Sequence, residues 1–172
     1  MILTGPEIHR AWAANELTIQ PFDSELLNPN SYNYRLGDDI LEICDPQAEE
    51  GRRSVRFGQE GYILRPGLLY LCCTHETIGS EIYVTTLLGR SSVGRLGLFL
   101  NAAADLGHCG AICRWTLEMK VVQPLKVYPG MLIGQVCFWT TSGEVRSYAG
   151  RYHQAGGTQP NRDPTLSKRP ER

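Results

Sequence analysis

From about residue 18 to residue 140 the chain is a succession of short apolar or alternating runs, each closed off by turn residues. LTIQPF, SYNYRL, GYILR, LLYLCC, EIYVTTLL, WTLEMKVV, LKVY and MLIGQVCFW follow one another in this way. Strands at such close intervals, with turn chemistry between them, predict an all-β sandwich or barrel. Pro66-Gly67 and Pro129-Gly130 each separate two runs. Pro followed by Gly supplies the fixed and the positive φ of a type II turn, so both are expected to be hairpin corners. The segments RPGLLYL and YPGMLIG are alike, but two short matches do not make a repeat architecture.

One segment has a different period. Thr4 and Glu7 stand at capping-box spacing, Pro6 suits a first helical turn, and Ile8, Ala11 and Trp12 form an apolar stripe; this predicts a short amphipathic helix ending near Asn15 that covers one end of the core. From Gln154 onward, QAGGTQPNRDPTLSKRPER has almost no apolar residue and cannot hold itself in a core. The expected organisation is therefore one β-domain over residues 1–153 and a flexible tail over 154–172 that can close over a site.

At 172 residues the chain can bury roughly two-thirds of its unfolded surface without a disulfide or metal staple. Its formal net charge of -1 offers no global positive field for duplex DNA, and no run of roughly 18 apolar residues predicts a membrane span. The opening segment lacks the continuous apolar stretch of a signal peptide, so a cytoplasmic protein with reduced thiols is expected. Among the six cysteines, Cys72, Cys73 and Cys137 sit inside apolar runs and read as small hydrophobes.

Two segments carry candidate chemistry. GRSSVGRLG, from Gly89 to Gly97, follows an expected strand and offers Arg90, Ser91, Ser92 and Arg95 within a few residues. Such a turn can present hydroxyl, backbone and guanidinium donors to a phosphate chain, or be a capped, solvated turn. If Ser91 opens a helical turn, Arg95 falls on the same face. In RWTLEMKVV, alternation puts Trp115, Leu117, Met119 and Val121 on one face and Arg114, Thr116, Glu118 and Lys120 on the other. Glu118 on that polar face is either a working carboxylate or an ordinary surface ion-pair member. His108, Cys109 and Cys113 lack the paired four-ligand spacing of structural zinc, and the His-x-Glu and Pro-Cys-x-x-Cys pair of zinc nucleobase deaminases is absent from the sequence. No metal held by protein side chains is expected.

The order of blocks NPNSYNYRLGDD, LRPGLLYL, GRSSVGRLGLF, WTLEMKV and YPGMLIGQVCF resembles that of the dCTP deaminases, relatives of the trimeric dUTPases. The tail YAGRYHQAGGTQPNR is similar to the family's closing segment, and the spacing from GRSSVGRLGL to TLE is ungapped. The resemblance implies a distorted β-barrel or jelly roll with a short N-terminal helix, assembled as a homotrimer with sites between subunits. It implies zinc-independent deamination of dCTP or a close cytosine nucleotide.

In the roles the resemblance implies, Glu118 serves as general base and then acid. Ser91 and the backbone of Ala104 position the water, and Arg95 holds the arrangement. Arg90, Ser92, Arg151 and Gln154 match triphosphate contacts, with Mg²⁺ bound through the phosphates. Tyr148 matches an aromatic near the sugar, and the Thr116 backbone an edge contact to the base. His108 stands where the family has an aspartate that meets the sugar 3'-hydroxyl, so phosphate hydrolysis does not carry over with the rest. Asn101 and Ala103 replace the family's His and Thr, Asn33 replaces an Asp, and Ala155 falls near the usual tail glutamine. Two alternatives stand beside deamination: a dUTPase-type diphosphohydrolase releasing pyrophosphate, and a non-catalytic nucleotide-binding regulator.

Overall fold

The structure is a computed structural model and describes residues 1–45, 49–100, 104–150 and 156–162. Its elements are helix α1 (Gly5–Ala13) and strands β1 (Thr18–Gln20), β2 (Leu27–Asn28), β3 (Ser31–Ile43), β4 (Arg52–Arg56), β5 (Tyr62–Leu64), β6 (Leu69–Thr74), β7 (Thr77–Gly79) and β8 (Tyr83–Gly89). Then follow helix α2 (Ser91–Gly94) and strands β9 (Leu98–Leu100), β10 (Leu106–Gly107), β11 (Thr116–Val121), β12 (Leu125–Val127) and β13 (Leu132–Thr140). The chain is mostly β, with a short N-terminal helix, as its run pattern predicts.

Nine strands form one antiparallel half-barrel sheet in the order β10-β8-β13-β3-β6-β11-β9, with β2 and β4 also paired to β3. Strand β3 belongs to both halves of this sheet. Its first half pairs with β2 and β13, its second with β4 and β6. The changeover is a register shift between Leu36 and Ile40. There a Cβ on Gly37 would lie 2.8 Å from the Cys73 sulfur, and the Cys72 and Cys73 thiols donate to the Asp39 carbonyl and carboxylate at 2.8 and 2.9 Å. Extra residues accommodated this way let one strand bend from one half to the other.

The concave face buries Tyr32, Tyr34, Tyr70 and Phe138 with Leu36, Leu64, Leu117, Met119, Ile133 and Val136. Gly134 permits a close approach, since a Cβ there would lie 2.1 Å from the Tyr34 ring. The Tyr34 hydroxyl donates to the Leu88 carbonyl at 3.1 Å, and burial pushes its pKa well up. Helix α1 covers one end with Ile8 and Ala11, as its stripe predicts. The expected capping box does not form: Thr4 makes no side-chain cap bond, and the Glu7 carboxylate instead accepts from Arg10 at 2.7 Å.

Both Pro-Gly turns have the expected positive φ, +89° at Gly67 and +78° at Gly130. They are not hairpin corners. Strand β5 pairs with β12 rather than β6, so each turn carries the chain from this two-stranded ribbon into the main sheet. Turn chemistry fixes a local reversal, whereas the partner of each strand is a long-range choice.

Candidate active site

Strand β11 forms the floor of the site. Leu117, Met119 and Val121 are buried in the core, so Thr116 and Glu118 point to the other face. Pairing with β6 sets Glu118 opposite Leu71 and Thr116 opposite Cys73. With Ile43, Leu69 and Leu71 they line a cleft of about 550 Å³. A carboxylate beside an apolar floor is suited to proton transfer to a bound ring, because it can both accept and return a proton.

One wall runs from Ala104 to Ala111. Its short strand β10 pairs Leu106 and Gly107 with Thr86 and Thr85 of β8. Gly107 is required by crowding: a Cβ would lie 2.1 Å from Thr85 Oγ1 and 2.5 Å from the Trp115 ring. Trp115 is itself fixed, its indole N–H donating to the Ile78 carbonyl and its backbone N–H to Thr74 Oγ1, both at 2.9 Å. His108 lies on the exposed side of this wall with its ring stacked on Tyr148, centroids 5.4 Å apart. Cys113 also lines the cleft, and burial pushes its thiol up to about 11, leaving it protonated near neutrality.

The closing wall comes from the chain's own end. Gly156 bridges to Arg114, the Gln159 N–H donates to Thr116 Oγ1 at 3.0 Å, and Gln159, Pro160 and Asn161 line the cleft. Thus Ala104, His108, Thr116, Glu118 and Tyr148 of the expected set meet in one cleft. Arg151 and Gln154 lie outside the described residues, as do Asn101, Ala103 and Ala155.

The other expected residues sit elsewhere. Ser91 and Ser92 open α2, and the Arg95 N–H donates to the Ser91 carbonyl at 3.0 Å, the single turn that the spacing suggests. Arg90 reaches the Leu132 carbonyl at 3.4 Å. None of these four lines the cleft that holds Glu118.

Sequence reasoning also missed Arg52, Arg114, Trp115, Gln159 and Asn161 as cleft residues. Alternation does put Arg114 on the face of Thr116 and Glu118, so that signal was present. Arg114 donates from Nε to the Thr74 carbonyl at 2.8 Å, and its Nη2 lies 3.8 Å from Asp38. Arg52 and Gln159 enter through long-range pairing, which leaves no local mark. Among the described residues, no three His, Cys, Asp or Glu side chains are grouped to hold a metal ion. No helix among them is long and apolar enough to cross a membrane.

Residues 2–141 match the protein family described as dCTP deaminase-like. A Leptospira biflexa protein named "dCTP deaminase, dUMP-forming" is 42% identical over 166 residues, covering 94% of this chain and 95% of its own. A Clostridium beijerinckii protein of the same name is 40% identical with the same coverage. A Rhodopirellula baltica protein named "dCTP deaminase" is 39% identical, covering 94% of this chain and 83% of its own. In fold, the chain resembles the crystal structure of 2'-deoxycytidine 5'-triphosphate deaminase from Agrobacterium tumefaciens, with a TM-score of 0.67 at 22% identity over 81% of this chain and 48% of that one. A family match across most of the chain, and relatives near two-fifths identity over nearly all of it, lead to one conclusion: this chain belongs to the dCTP deaminase family.

Proposed function

We propose that the protein converts dCTP, or a close cytosine nucleotide, to the corresponding uracil nucleotide with release of ammonia. The observation that carries this reading is Glu118 on the floor of a cleft shared with Ala104, His108, Thr116 and Tyr148. Glu118 takes a proton from water as the oxygen adds to C4 of the base. The same carboxyl then returns the proton to the exocyclic amine, the C4–N bond breaks, and ammonia leaves. Ser91 and the Ala104 backbone align the water, Arg95 holds this arrangement, and the Thr116 backbone meets the base edge. Tyr148 faces the sugar, with the His108 ring against its own, while Arg90, Ser92, Arg151 and Gln154 take the triphosphate. In this reading Mg²⁺ is bound through the substrate's phosphates, and no protein step runs through it.

The assembly in this reading is a homotrimer of barrel-like subunits with sites between them, working in the cytoplasm. Two features support it. Ser91 and Arg95 do not line their own chain's cleft, so a neighbouring copy would supply them. Phe99, Leu106 and Val122 also expose more than half their surface, an apolar display suited to contact between copies.

The test is product analysis with cytosine nucleotides and Mg²⁺. Wild type should give ammonia and a uracil nucleotide, and Glu118→Gln should give neither while still binding substrate. Full activity in that variant would sink the mechanism. The names of the Leptospira and Clostridium relatives favour a second possible product, dUMP, and release of pyrophosphate would identify it.

A further inference from the structure

Residues 141–150 cross the outside of the molecule without regular structure, and apart from Tyr148 their side chains are exposed. A strap that buries so little is positioned by individual contacts rather than by a packed core. Two of these reach the cleft wall and a third ties the strap to the residues just before β8. The Tyr148 N–H donates to the Cys109 carbonyl at 2.8 Å, and Ser147 Oγ donates to Glu81 at 2.9 Å. The Tyr148 ring lies against that of His108, 5.4 Å between centroids and 27° between planes.

The loop beneath is shaped for this crossing. Gly110 has φ +87°, and its N–H donates to the Ser80 carbonyl at 2.8 Å; a Cβ there would lie 3.0 Å from both Ser147 Cβ and the Tyr148 nitrogen. Gly150 folds back on the Tyr148 ring so closely that a Cβ would fall 2.3 Å from its outer carbons and hydroxyl. The tyrosine ring is thus enclosed by the His108 ring and the strap's own backbone, and both rings line the cleft that holds Glu118. His108 meets the strap with the face of its imidazole.

We propose that His108 is a positioning residue that acts through its ring face, holding Tyr148 and the strap at the cleft mouth so that Tyr148 forms a wall for the nucleotide. It therefore sets how tightly the nucleotide binds and leaves the chemical step to Glu118. This rests on the reading of the cleft as a cytosine-nucleotide site. Its mechanical half is independent of that reading.

The experiment compares His108→Ala with His108→Phe, which keeps a flat ring and loses both nitrogens. In the ligand-free protein, hydrogen exchange of the Tyr148 amide should quicken about fivefold in the alanine variant and return toward wild type in the phenylalanine variant, the scale of one aromatic pair. With dCTP, alanine should raise KM by about the same factor with kcat within about twofold, and phenylalanine should restore it. Titration calorimetry in a Glu118→Gln background should show the same ordering of Kd without turnover. Unchanged amide exchange in His108→Ala would overturn the proposal whatever the ligand. So would a phenylalanine variant as impaired as alanine, or a loss of kcat at constant KM. If wild type binds no cytosine nucleotide, the functional reading fails, and the exchange measurement still decides whether His108 holds the strap.

Discussion

The floor of the cleft and its wall are held in place by different kinds of contact. The floor is a stretch of β11 paired on one side to β6 and on the other to β9, with Leu117 and Met119 locked into the core beneath it. The wall is assembled from the two-residue strand β10, the 141–150 strap and the Gly156–Arg162 segment, whose contacts include individual hydrogen bonds and a ring stack rather than a long strand ladder. Glu118 on the floor is placed by a continuous ladder, while His108 and Tyr148 depend on each other. A reacting carboxylate gains from such a rigid mount, because a small misplacement costs rate. A binding wall can tolerate weaker anchoring and gains the freedom to admit a ligand.

The most severe way to break this comparison is to split the catalytic set between chains. Arg95→Ala and Glu118→Gln should each be nearly inactive alone. Co-refolded in equal amounts they should recover roughly a quarter of wild-type turnover if each site draws Arg95 and Glu118 from different copies of a cyclic trimer. Rates that stay at background in the mixture would put both groups in one chain and remove the intersubunit site.

Next in size is damage where wall meets floor. Gly107→Ala forces a methyl against Thr85 and Trp115, at a cost of about 2–3 kcal/mol. Thermal unfolding should show Tm lowered by roughly 5 °C or more. An unchanged Tm would mean that the wall yields without strain.

A gentler probe is Thr116→Val, which keeps shape and removes the hydroxyl that accepts from the Gln159 N–H. Losing one such bond is worth about 1 kcal/mol. KM for the nucleotide should rise about fivefold with kcat nearly constant, whereas an equal loss in kcat would place Thr116 with the reacting groups.

The smallest expected effect near neutrality concerns pH. Burial raises the Cys113 thiol to about 11 in the folded chain, against 9.0 for an ordinary thiol. The folded state therefore keeps a proton that the unfolded state gives up. This contribution to stability is whole below about pH 9 and is lost as the pH climbs through 11, to a limit of about 3 kcal/mol. Denaturant unfolding across that window should show a shallower decline in Cys113→Ala than in wild type, and parallel slopes would contradict the burial argument.

What could be read in the chain beforehand follows from the range of each signal. The expected runs fall on β1, the first half of β3, β5, β6, β8, β11, β12 and β13, because in each an apolar or alternating stretch between turn residues is long enough to be seen. Strands β2, β4, β7, β9 and β10 escaped notice, most of them being only two or three residues long. Strand β3 ran past its expected end because Gly37, Asp38 and Asp39 look like a turn, whereas the bend they make is stabilised by thiols from β6. The site divides in the same way: Glu118 and Thr116 were legible from alternation, and the role of His108 as a partner of Tyr148 was not.

By itself the sequence determined the class of fold, the helix at its start, the two Pro-Gly reversals, the outward face of Glu118 and the family to which the chain belongs. All of these are written in neighbouring residues or in the order of blocks. Only the tertiary structure decided that β5 pairs with β12, that β3 serves both halves of the sheet, and that residues 40 apart, His108 and Tyr148, share one stack. Local patterns restrict φ and ψ and the direction of each side chain, whereas pairing between distant segments is chosen by the burial and hydrogen bonding of the whole chain.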